Sequence, residues 1–433
     1  MLILHSRWRR SNGWTEMRML KLKISKNNIL LYLLQIYIFA VIAWDYEIFY
    51  QIPLLLLFIA TMLRYGQVAH TIRTSSFFHG YFLMMMYFFL QFLFGITVSP
   101  ADSQAYLVTG TINVVAILCV AVTLDQIWKI ERVLKTIIIA SFSVSIYNFV
   151  KNLPLLLSGG LASHCYKLFF LRPTYSHSTI PMFCAFSVMA LVYFGLKNRW
   201  RIKNVVLIVY FTIYVTLSAS RNALIFIIFG VVIYPFSFNG NRDDFGKRLL
   251  KVVFVTAAVC GTVVAVIKIP YLYNLIGYRV QDVLEGFSSG DFSESSASSR
   301  NTMLVTGMNL IKKNWLWGYG LNTFRSFPGS FGTWSHVQYV ESMVSGGVIA
   351  LICYFFFNIK AIVILRRYFT KLGGFALCLM IYMLICNMFN VCYMDRFMCL
   401  IYGVVDAYIQ IEMRKEKDAC YGIYTNIQQT KAT

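Results

Sequence analysis

Long apolar runs recur along the whole chain, and they restrict its fold more than any other feature. Most are about 17 to 25 residues long, the length that an α-helix needs to cross a hydrocarbon core about 30 Å thick. Charged residues fill only 13% of the 433 positions and hydrophobic residues 58%, whereas about a quarter of a soluble domain is charged. The pattern predicts an all-α, polytopic membrane protein. A transmembrane β-barrel would show shorter, alternating segments.

The runs define a single membrane domain, residues 1–433, with about 12 transmembrane helices. We place the spans near residues 28–44, 47–63, 77–98, 106–124, 134–150, 179–196, 203–217, 222–237, 249–267, 339–359, 373–391 and 396–412. With a cytoplasmic N-terminus, 28 of the 39 Lys and Arg residues fall on inner segments, as the positive-inside rule requires. We therefore expect a basic cytoplasmic N-terminus (1–27) and a cytoplasmic tail (413–433).

The net charge of +21 reflects this inner excess of basic residues, so we expect membrane lipid as a partner and no nucleic acid. The ten cysteines form no CxxC motif and no Cys/His cluster. The sequence therefore predicts neither a metal site nor a disulfide framework. Cys165 and Cys392 both fall on the outer side in this topology, but their spacing gives no information about pairing.

One long polar segment, residues 268–336, separates the ninth and tenth spans and is predicted to be an extracytoplasmic loop. Its stretch 286–299 is half serine and is expected to be mobile. Ser298 or Ser299 is expected to cap a helix that begins at Arg300. The sequence WLWGYG then ends the helix in a turn that is expected to pack back on the membrane surface. The apolar stripe of this helix is predicted to comprise Leu304, Met308, Ile311 and Trp315.

Four arginines are candidates for binding an anionic substrate. Arg221 lies in the short SASRN hairpin between spans 7 and 8, at the outer membrane edge, where a guanidinium can hold a phosphate bidentately or reach lipid phosphates. Arg300 would open the loop helix, where backbone N–H groups also favour an anion, unless it is a solvated loop charge. Arg279 and Arg325 are weaker candidates, since basic residues on outer loops are common.

His336 stands where the long loop re-enters the membrane. Its ordinary pKa near 6.5 lets an imidazole act as a base near neutral pH, although a lone histidine is more often structural than catalytic. Glu341 follows about one and a half helical turns later, just inside span 10. An acidic side chain at this depth needs a partner, so we expect it to pair with an arginine or to orient other groups.

Three segments resemble the bacterial O-antigen polymerase and O-antigen ligase superfamily. They are SASRNALI, SRNTMLVTGMNLIKKNWLWGYGLNTFRSF and HVQYVESMVSGGVIALI, within about residues 218–350. Val337 and Ser345 depart from the pattern, which usually has Asn and often an acid at these positions. The positions that match the family's motifs are Ser220, Arg221, Arg300, Gly318, Gly320, His336, Tyr339, Glu341 and Gly347.

This resemblance implies a glycosyltransferase of the GT-C type that is embedded in a bacterial cytoplasmic (inner) membrane and works on its outer face. It implies a polysaccharide polymerase for capsule, exopolysaccharide or O-antigen, which takes glycan from undecaprenyl diphosphate. Arg221 and Arg300 would hold the donor diphosphate, Tyr339 and Glu341 would line the substrate site, and His336 would act on the acceptor hydroxyl. No metal and no other cofactor is implied. Further partners would be chain-length regulator and flippase proteins.

Three alternatives remain open from the sequence. A ligase of the same fold would move finished glycan to a different acceptor. A lipid-linked oligosaccharide flippase would have a similar number of spans, although transporters often show repeated halves and broken helices, and we find neither here. A non-enzymatic assembly protein would leave the set of Arg221, Arg300 and His336 unexplained.

Overall fold

The structure is a computed structural model of the 433-residue chain. It describes residues 28–43, 47–157, 179–198, 200–218, 220–236, 295–368 and 370–432, with the single positions 246, 253, 257, 261, 264, 268, 270 and 273. Several predictions fall outside the described residues: the basic segment 1–27, the serine-rich stretch up to 294, most of the ninth span, and Arg279.

Every regular element in the described part of the chain is helical. In chain order the helices are α1 (Ile29–Ala43), α2 (Glu47–Met62), α3 (Tyr65–Thr74), α4 (Ser76–Leu93), α5 (Pro100–Thr123), α6 (Ile127–Leu157), α7 (Thr179–Lys197), α8 (Ile202–Leu217), α9 (Arg221–Ile228), α10 (Ser295–Lys313), α11 (Gln338–Leu365), α12 (Lys371–Cys386) and α13 (Arg396–Ala432). Helix α9 continues as a π-helical turn, Phe229–Ile233, and a 3₁₀ turn, Tyr234–Phe236.

Five described helices are long and apolar enough to cross a membrane: α4, α5, α7, α11 and the first 25 residues of α6. Helices α2 and α3 pass the same test together but are bent by 100°. Four shorter apolar helices lie at or close to predicted spans, namely α1, α8, α9 with its continuation, and α12. The prediction of an all-α polytopic membrane protein is confirmed, while the number of twelve spans stays a prediction.

Two helices form the centre of the bundle. Residues 180–195 of α7 and 397–412 of α13 are buried on all sides, and α13 packs mainly against α5. A helix buried on every face is typical of a central position. The peripheral helices instead expose apolar side chains, for example Ile52, Leu55, Leu56 and Ile59 on α2. Such continuous exposed apolar surface suits contact with lipid and not with water.

The described helices place the candidate loop at one end of the bundle. Residues 314–337 contact the C-terminal end of α4 and the N-terminal ends of α5 and α11. The turn between α12 and α13 lies at the same end, because the Gln338 side chain accepts the backbone N–H groups of Cys392 and Tyr393. At the opposite end Lys371 of α12 reaches the carbonyl of Leu196 at the end of α7. We call these the loop end and the basic end.

The predicted start of the loop helix is wrong. Ser298 or Ser299 is the predicted cap before Arg300, but α10 begins at Ser295. Serine and alanine have moderate to high helix propensity, so a helix fixed by packing further along extends through them at little cost. Arg300 consequently lies in the second turn of α10 and not at its positive end.

The predicted apolar stripe of this helix is also largely wrong. The face that packs on α11 carries Met303, Gly307 and Leu310, beside Val340 and Val344. A Cβ at Gly307 would lie 2.3 Å from Cγ1 of Val340, so glycine permits this close approach. The predicted stripe lies next to this buried face and has the same helical spacing, so the spacing alone does not distinguish the two. Its exposed members are Leu304, Met308 and Trp315, while Ile311 is half-buried.

The last helix, α13, runs without interruption from Arg396 to Ala432. The segment predicted as a tail, 413–433, is therefore mostly a continuation of the helix that starts in the last predicted span. Residues 413–419 are exposed.

Candidate functional site

Helix α11 is broken at two consecutive glycines. Gly346 has φ −133° and ψ 15°, and Gly347 has φ 61° and ψ −161°. The second of these combinations is open almost only to glycine. The break leaves backbone groups of α11 without partners inside the helix, and these groups bind the loop.

The GYG turn predicted to end the loop helix fills this break. The N–H of Tyr319 donates to the carbonyl of Val344 (2.8 Å), and the N–H of Gly320 donates to Ser345 (2.8 Å). A Cβ on Gly347 would lie 2.1 Å from the carbonyl oxygen of Leu316. The turn therefore packs directly on α11, and its predicted contact with the membrane surface stays a prediction.

Helices α4 and α5 hold the same turn from the other side. The hydroxyl of Tyr87 donates to the carbonyl of Trp317 (2.9 Å), which also accepts the side-chain amide of Gln91. The hydroxyl of Ser103 donates to the carbonyl of Leu321 (2.6 Å). Backbone carbonyls of the turn are thus satisfied by three transmembrane side chains, which fixes residues 317–321 between α4, α5 and α11.

His336 has a left-handed backbone, with φ 58°. This conformation costs a residue other than glycine on the order of 1–2 kcal/mol, so surrounding contacts must hold it. The N–H of the preceding residue, Ser335, donates to Oε2 of Glu341 (3.0 Å), and its hydroxyl donates to the carbonyl of Val337 (3.0 Å). These bonds fix the backbone on both sides of the half-buried imidazole.

Gln338 anchors this region to the turn between α12 and α13. Its backbone N–H donates to the carbonyl of Asn387 (2.8 Å), and its Oε1 accepts the N–H groups of Cys392 (2.8 Å) and Tyr393 (3.0 Å). Its side-chain amide donates to the hydroxyl of Ser342 (2.8 Å). The side chain is fully buried, so these hydrogen bonds take the place of bonds to water at both its amide oxygen and its amide nitrogen.

Arg300 and His336 are close enough to interact electrostatically. Burial lowers the pKa of His336 below its ordinary value of 6.5, and the positive charge of Arg300 lowers it further. His336 is therefore neutral at neutral pH. Arg300 itself is exposed on α10. An exposed guanidinium therefore lies close enough to a neutral imidazole to influence its protonation.

Trp334 lies two residues before His336 and packs against Tyr106 of α5. The indole N–H of Trp334 donates to Oδ1 of Asn322 (2.8 Å), and its ring meets the ring of Tyr106 edge-on at 6.2 Å. Arg325 is exposed in the short 3₁₀ helix Phe324–Ser326 and acts electrostatically on Tyr106. The loop end therefore holds two arginines, a histidine and two aromatic rings: Arg300, Arg325, His336, Trp334 and Tyr106.

Tyr339 faces α12. Its hydroxyl donates to the carbonyl of Leu384 (3.0 Å), and its ring stacks on Phe355 at 4.4 Å. Glu341 is buried directly beneath Ser335. The predicted contacts of both residues with a substrate stay predictions, and in the structure each supports the backbone near His336.

Arg221 is the first residue of α9, and its side chain lies outside the described part of the structure. The hydroxyl of Tyr382 on α12 donates to the carbonyl of the next residue, Asn222 (3.0 Å), and its ring stacks on Phe226 at 3.9 Å. Tyr382 is two residues from Leu384, the partner of Tyr339. The start of α9 and the start of α11 therefore meet the same last turn of α12.

Neither the anchoring role of Gln338 nor the break at Gly346 is among the predictions from the sequence, although the sequence contains a signal for Gln338. The first two turns of α11 carry polar residues on one face of an otherwise apolar helix: Gln338, Glu341, Ser342 and Ser345. Spacings of three and four place them together, and polar side chains inside a span need partners. Among the described residues, no three His, Cys, Asp or Glu side chains are placed to hold a metal ion.

Comparison with known proteins agrees with the resemblance seen in the motifs. Residues 205–355 match the family model described as O-antigen ligase. The match extends from α8 past the break in α11 and contains Arg221, Arg300 and His336. It confirms the predicted resemblance to the O-antigen ligase and polymerase superfamily, whose members are membrane enzymes of glycosyltransferase type. No curated protein matches the chain.

Proposed function

We propose that this chain is an extracytoplasmic polysaccharide polymerase. It would transfer glycan from undecaprenyl diphosphate to a lipid-linked repeat unit, in the synthesis of capsule, exopolysaccharide or O-antigen. One observation carries the proposal. A neutral histidine, held in a left-handed conformation, lies beside an accessible arginine within the segment that matches the O-antigen ligase family.

His336 would act as the general base. A neutral imidazole can accept the proton of the acceptor hydroxyl while that oxygen attacks the anomeric carbon of the donor sugar. The bond between this carbon and the diphosphate oxygen breaks, and undecaprenyl diphosphate leaves. The lowered pKa of His336 supports this role, because the imidazole is unprotonated at neutral pH and the imidazolium formed in the reaction readily releases its proton to water before the next transfer.

Arginines would bind the leaving diphosphate. A planar guanidinium matches two phosphate oxygens at once, and cations fixed near the developing charge stabilise the transition state. We assign this role to Arg300 and, from the opposite side, to Arg221. Arg279 and Arg325 would extend the positive field around the glycan, and Tyr339 and Glu341 would hold the substrate-facing backbone in place.

The charge distribution supports an outer position for the site. The basic end of the bundle carries Lys and Arg residues on or near the ends of α6, α7, α11 and α12, among them Lys129, Arg132, Lys197, Arg366, Arg367 and Lys371. Cytoplasmic ends of spans carry such an excess. The loop end would then face outward in the cytoplasmic membrane, within a GT-C-type arrangement of spans.

A ligase is the second candidate, because the matching family model carries that description. The two reactions share the donor and differ in the acceptor. Reconstituted protein that lengthens lipid-linked repeat units without any other acceptor is a polymerase. Protein that transfers glycan only when a different acceptor is added is a ligase.

The test uses full-length variants in a host that lacks the chain and accumulates its lipid-linked repeat unit. His336→Ala is expected to slow chain extension by about 10²–10⁴-fold, and Arg221→Ala and Arg300→Ala by about 10²–10³-fold. His70→Ala, an exposed histidine on α3, is the matched control. Glycan length on gels and protein level by immunoblot are the measurements. Normal polymer from His336→Ala at normal protein level would refute the assignment.

A further inference from the structure

Two buried cysteines flank the turn between α12 and α13. Cys386 is the last residue of α12, and Cys392 lies six residues later. Their sulfur atoms are 3.8 Å apart. A disulfide bond is about 2.05 Å long, so closure requires the sulfurs to approach by only about 1.8 Å. Side-chain rotation within a short turn can supply such a movement.

The surroundings of the pair distinguish the two sulfurs. The thiol of Cys392 and the side-chain amide of Asn390 (3.7 Å) both donate toward Sγ of Cys386. The thiol of Cys392 also lies 3.9 Å from the carbonyl of Asn390. Donors directed at a sulfur stabilise its thiolate, which is the nucleophile in thiol–disulfide exchange. The geometry therefore favours Cys386 as the attacking sulfur.

We propose that Cys386 and Cys392 form an intramolecular disulfide bond. The electron acceptor would be a protein thiol–disulfide oxidant outside the cytoplasmic membrane. The Cys386 thiolate attacks the oxidant's disulfide and forms a mixed disulfide, and one oxidant sulfur leaves as a thiolate. The Cys392 thiolate then attacks Sγ of Cys386 and releases the second oxidant sulfur. Two protons and two electrons leave the pair, and the oxidant becomes a dithiol.

This inference rests on the outer position of the site in the proposed function, because structural disulfides form in oxidising compartments. The turn lies at the loop end, since Gln338 binds the backbone N–H groups of Cys392 and Tyr393. Both sulfurs are buried in the folded chain, so we place the reaction before α11 covers the turn. The bond would then fix the turn that anchors Gln338, two residues after His336.

The experiment counts thiols in the full chain. Cells are quenched in acid, and the denatured protein is labelled with a polyethylene-glycol maleimide before or after reduction. Wild type is expected to gain two labels per chain on reduction, and peptide mass spectrometry should find 386 joined to 392. The gain should be lost in Cys386→Ser and in Cys392→Ser.

Cys399→Ser removes a neighbouring thiol, which donates to the carbonyl of Tyr393 (3.7 Å), and it should keep the gain of two labels. If Cys399→Ser abolishes the gain instead, the pairing is wrong. If wild type shows 386 and 392 both alkylated without reduction, no disulfide forms and the proposal is overturned.

A second variant separates this failure from a failure of the proposed function. Ser326→Cys places a thiol at an exposed loop position. Labelling of that thiol by a membrane-impermeant reagent in spheroplasts, together with free 386 and 392, refutes the disulfide and leaves the outer site intact. Absence of labelling refutes the outer site, and with it the oxidising environment on which the disulfide depends.

Discussion

The backbone at His336 is held from two directions, and this restraint explains why a strained residue can stay in place. Glu341 binds the N–H of Ser335 on one side, and Gln338 ties the following residues to the turn after α12. Strained, non-glycine residues with positive φ cluster at functional sites because only a rigid surrounding keeps them. Asn322 and Phe331 in the same loop also have positive φ. The backbone between residues 322 and 336 is therefore constrained at three non-glycine positions.

Replacing Arg300 by Gln is expected to raise the pKa of His336, because it removes a positive charge that disfavours the imidazolium. The imidazole would then take up its proton at higher pH. Activity requires the neutral base, so it declines as the pH is lowered. In the variant this decline would begin at a higher pH than in wild type, and the acidic limb of the pH profile would shift to higher pH. Arg300→Lys keeps the charge and should leave that limb near its wild-type position.

The midpoint can be measured without activity, from the pH dependence of diethylpyrocarbonate modification of His336, followed by peptide mass spectrometry. The reagent reacts with neutral imidazole, so the rate reports the unprotonated fraction. An equal midpoint in wild type and Arg300→Gln would contradict an electrostatic contact between the two residues. Burial would then be the only cause of the lowered pKa.

At the scale of elements, the break in α11 and the GYG turn form one structural unit. The turn donates hydrogen bonds to carbonyl groups of α11 that would bond within the helix if it were unbroken. Gly318 in the turn and Gly347 in α11 allow the two backbones to come into contact. The turn is therefore positioned by α11 together with α4 and α5. A change at the break is expected to act on the loop and on His336 together.

Gly347→Ala is expected to displace the GYG turn. The new Cβ would meet the carbonyl oxygen of Leu316 at 2.1 Å, and the combination of φ 61° with ψ −161° is unfavourable for alanine by about 1–3 kcal/mol. Chain extension should fall strongly, and limited proteolysis should cut residues 314–337 faster than in wild type. Gly66→Ala on α3 is the control, since its Cβ would meet no atom within 4 Å. Equal proteolysis of both variants would contradict this role for the break.

The sequence predicts helix positions better than it predicts their contacts. Apolar runs fixed the helical segments because a bilayer demands long apolar helices whatever their neighbours are. The start of α10 at Ser295 and its buried face could not be predicted, because both depend on Gly307 approaching Val340. Two stripes of equal spacing look alike until the partner helix selects one. The sequence identifies His336 and Arg300 as candidate site residues, whereas their proximity depends on the fold.

At the scale of the whole molecule, the two ends of the bundle differ in charge and in hydrogen bonding. The basic end holds ion pairs such as Lys129 with Asp125 (2.6 Å) and Lys197 with Glu131. The loop end holds the turn, the break in α11 and the strained histidine. Loops rich in Lys and Arg remain on the cytoplasmic side of a membrane. The distribution of these residues between the two ends therefore predicts which compartment the site faces.

The final prediction concerns this orientation and uses a cysteine at each end. Ser326→Cys at the loop end should react with a membrane-impermeant maleimide in intact spheroplasts. Asn198→Cys, exposed at the basic end between α7 and α8, should react only after the membrane is permeabilised. The parent chain is the control, because most of its described cysteines are buried. Labelling of Asn198→Cys from outside would invert the orientation and place the candidate site in the cytoplasm, where lipid-linked glycans are not polymerised by the proposed reaction.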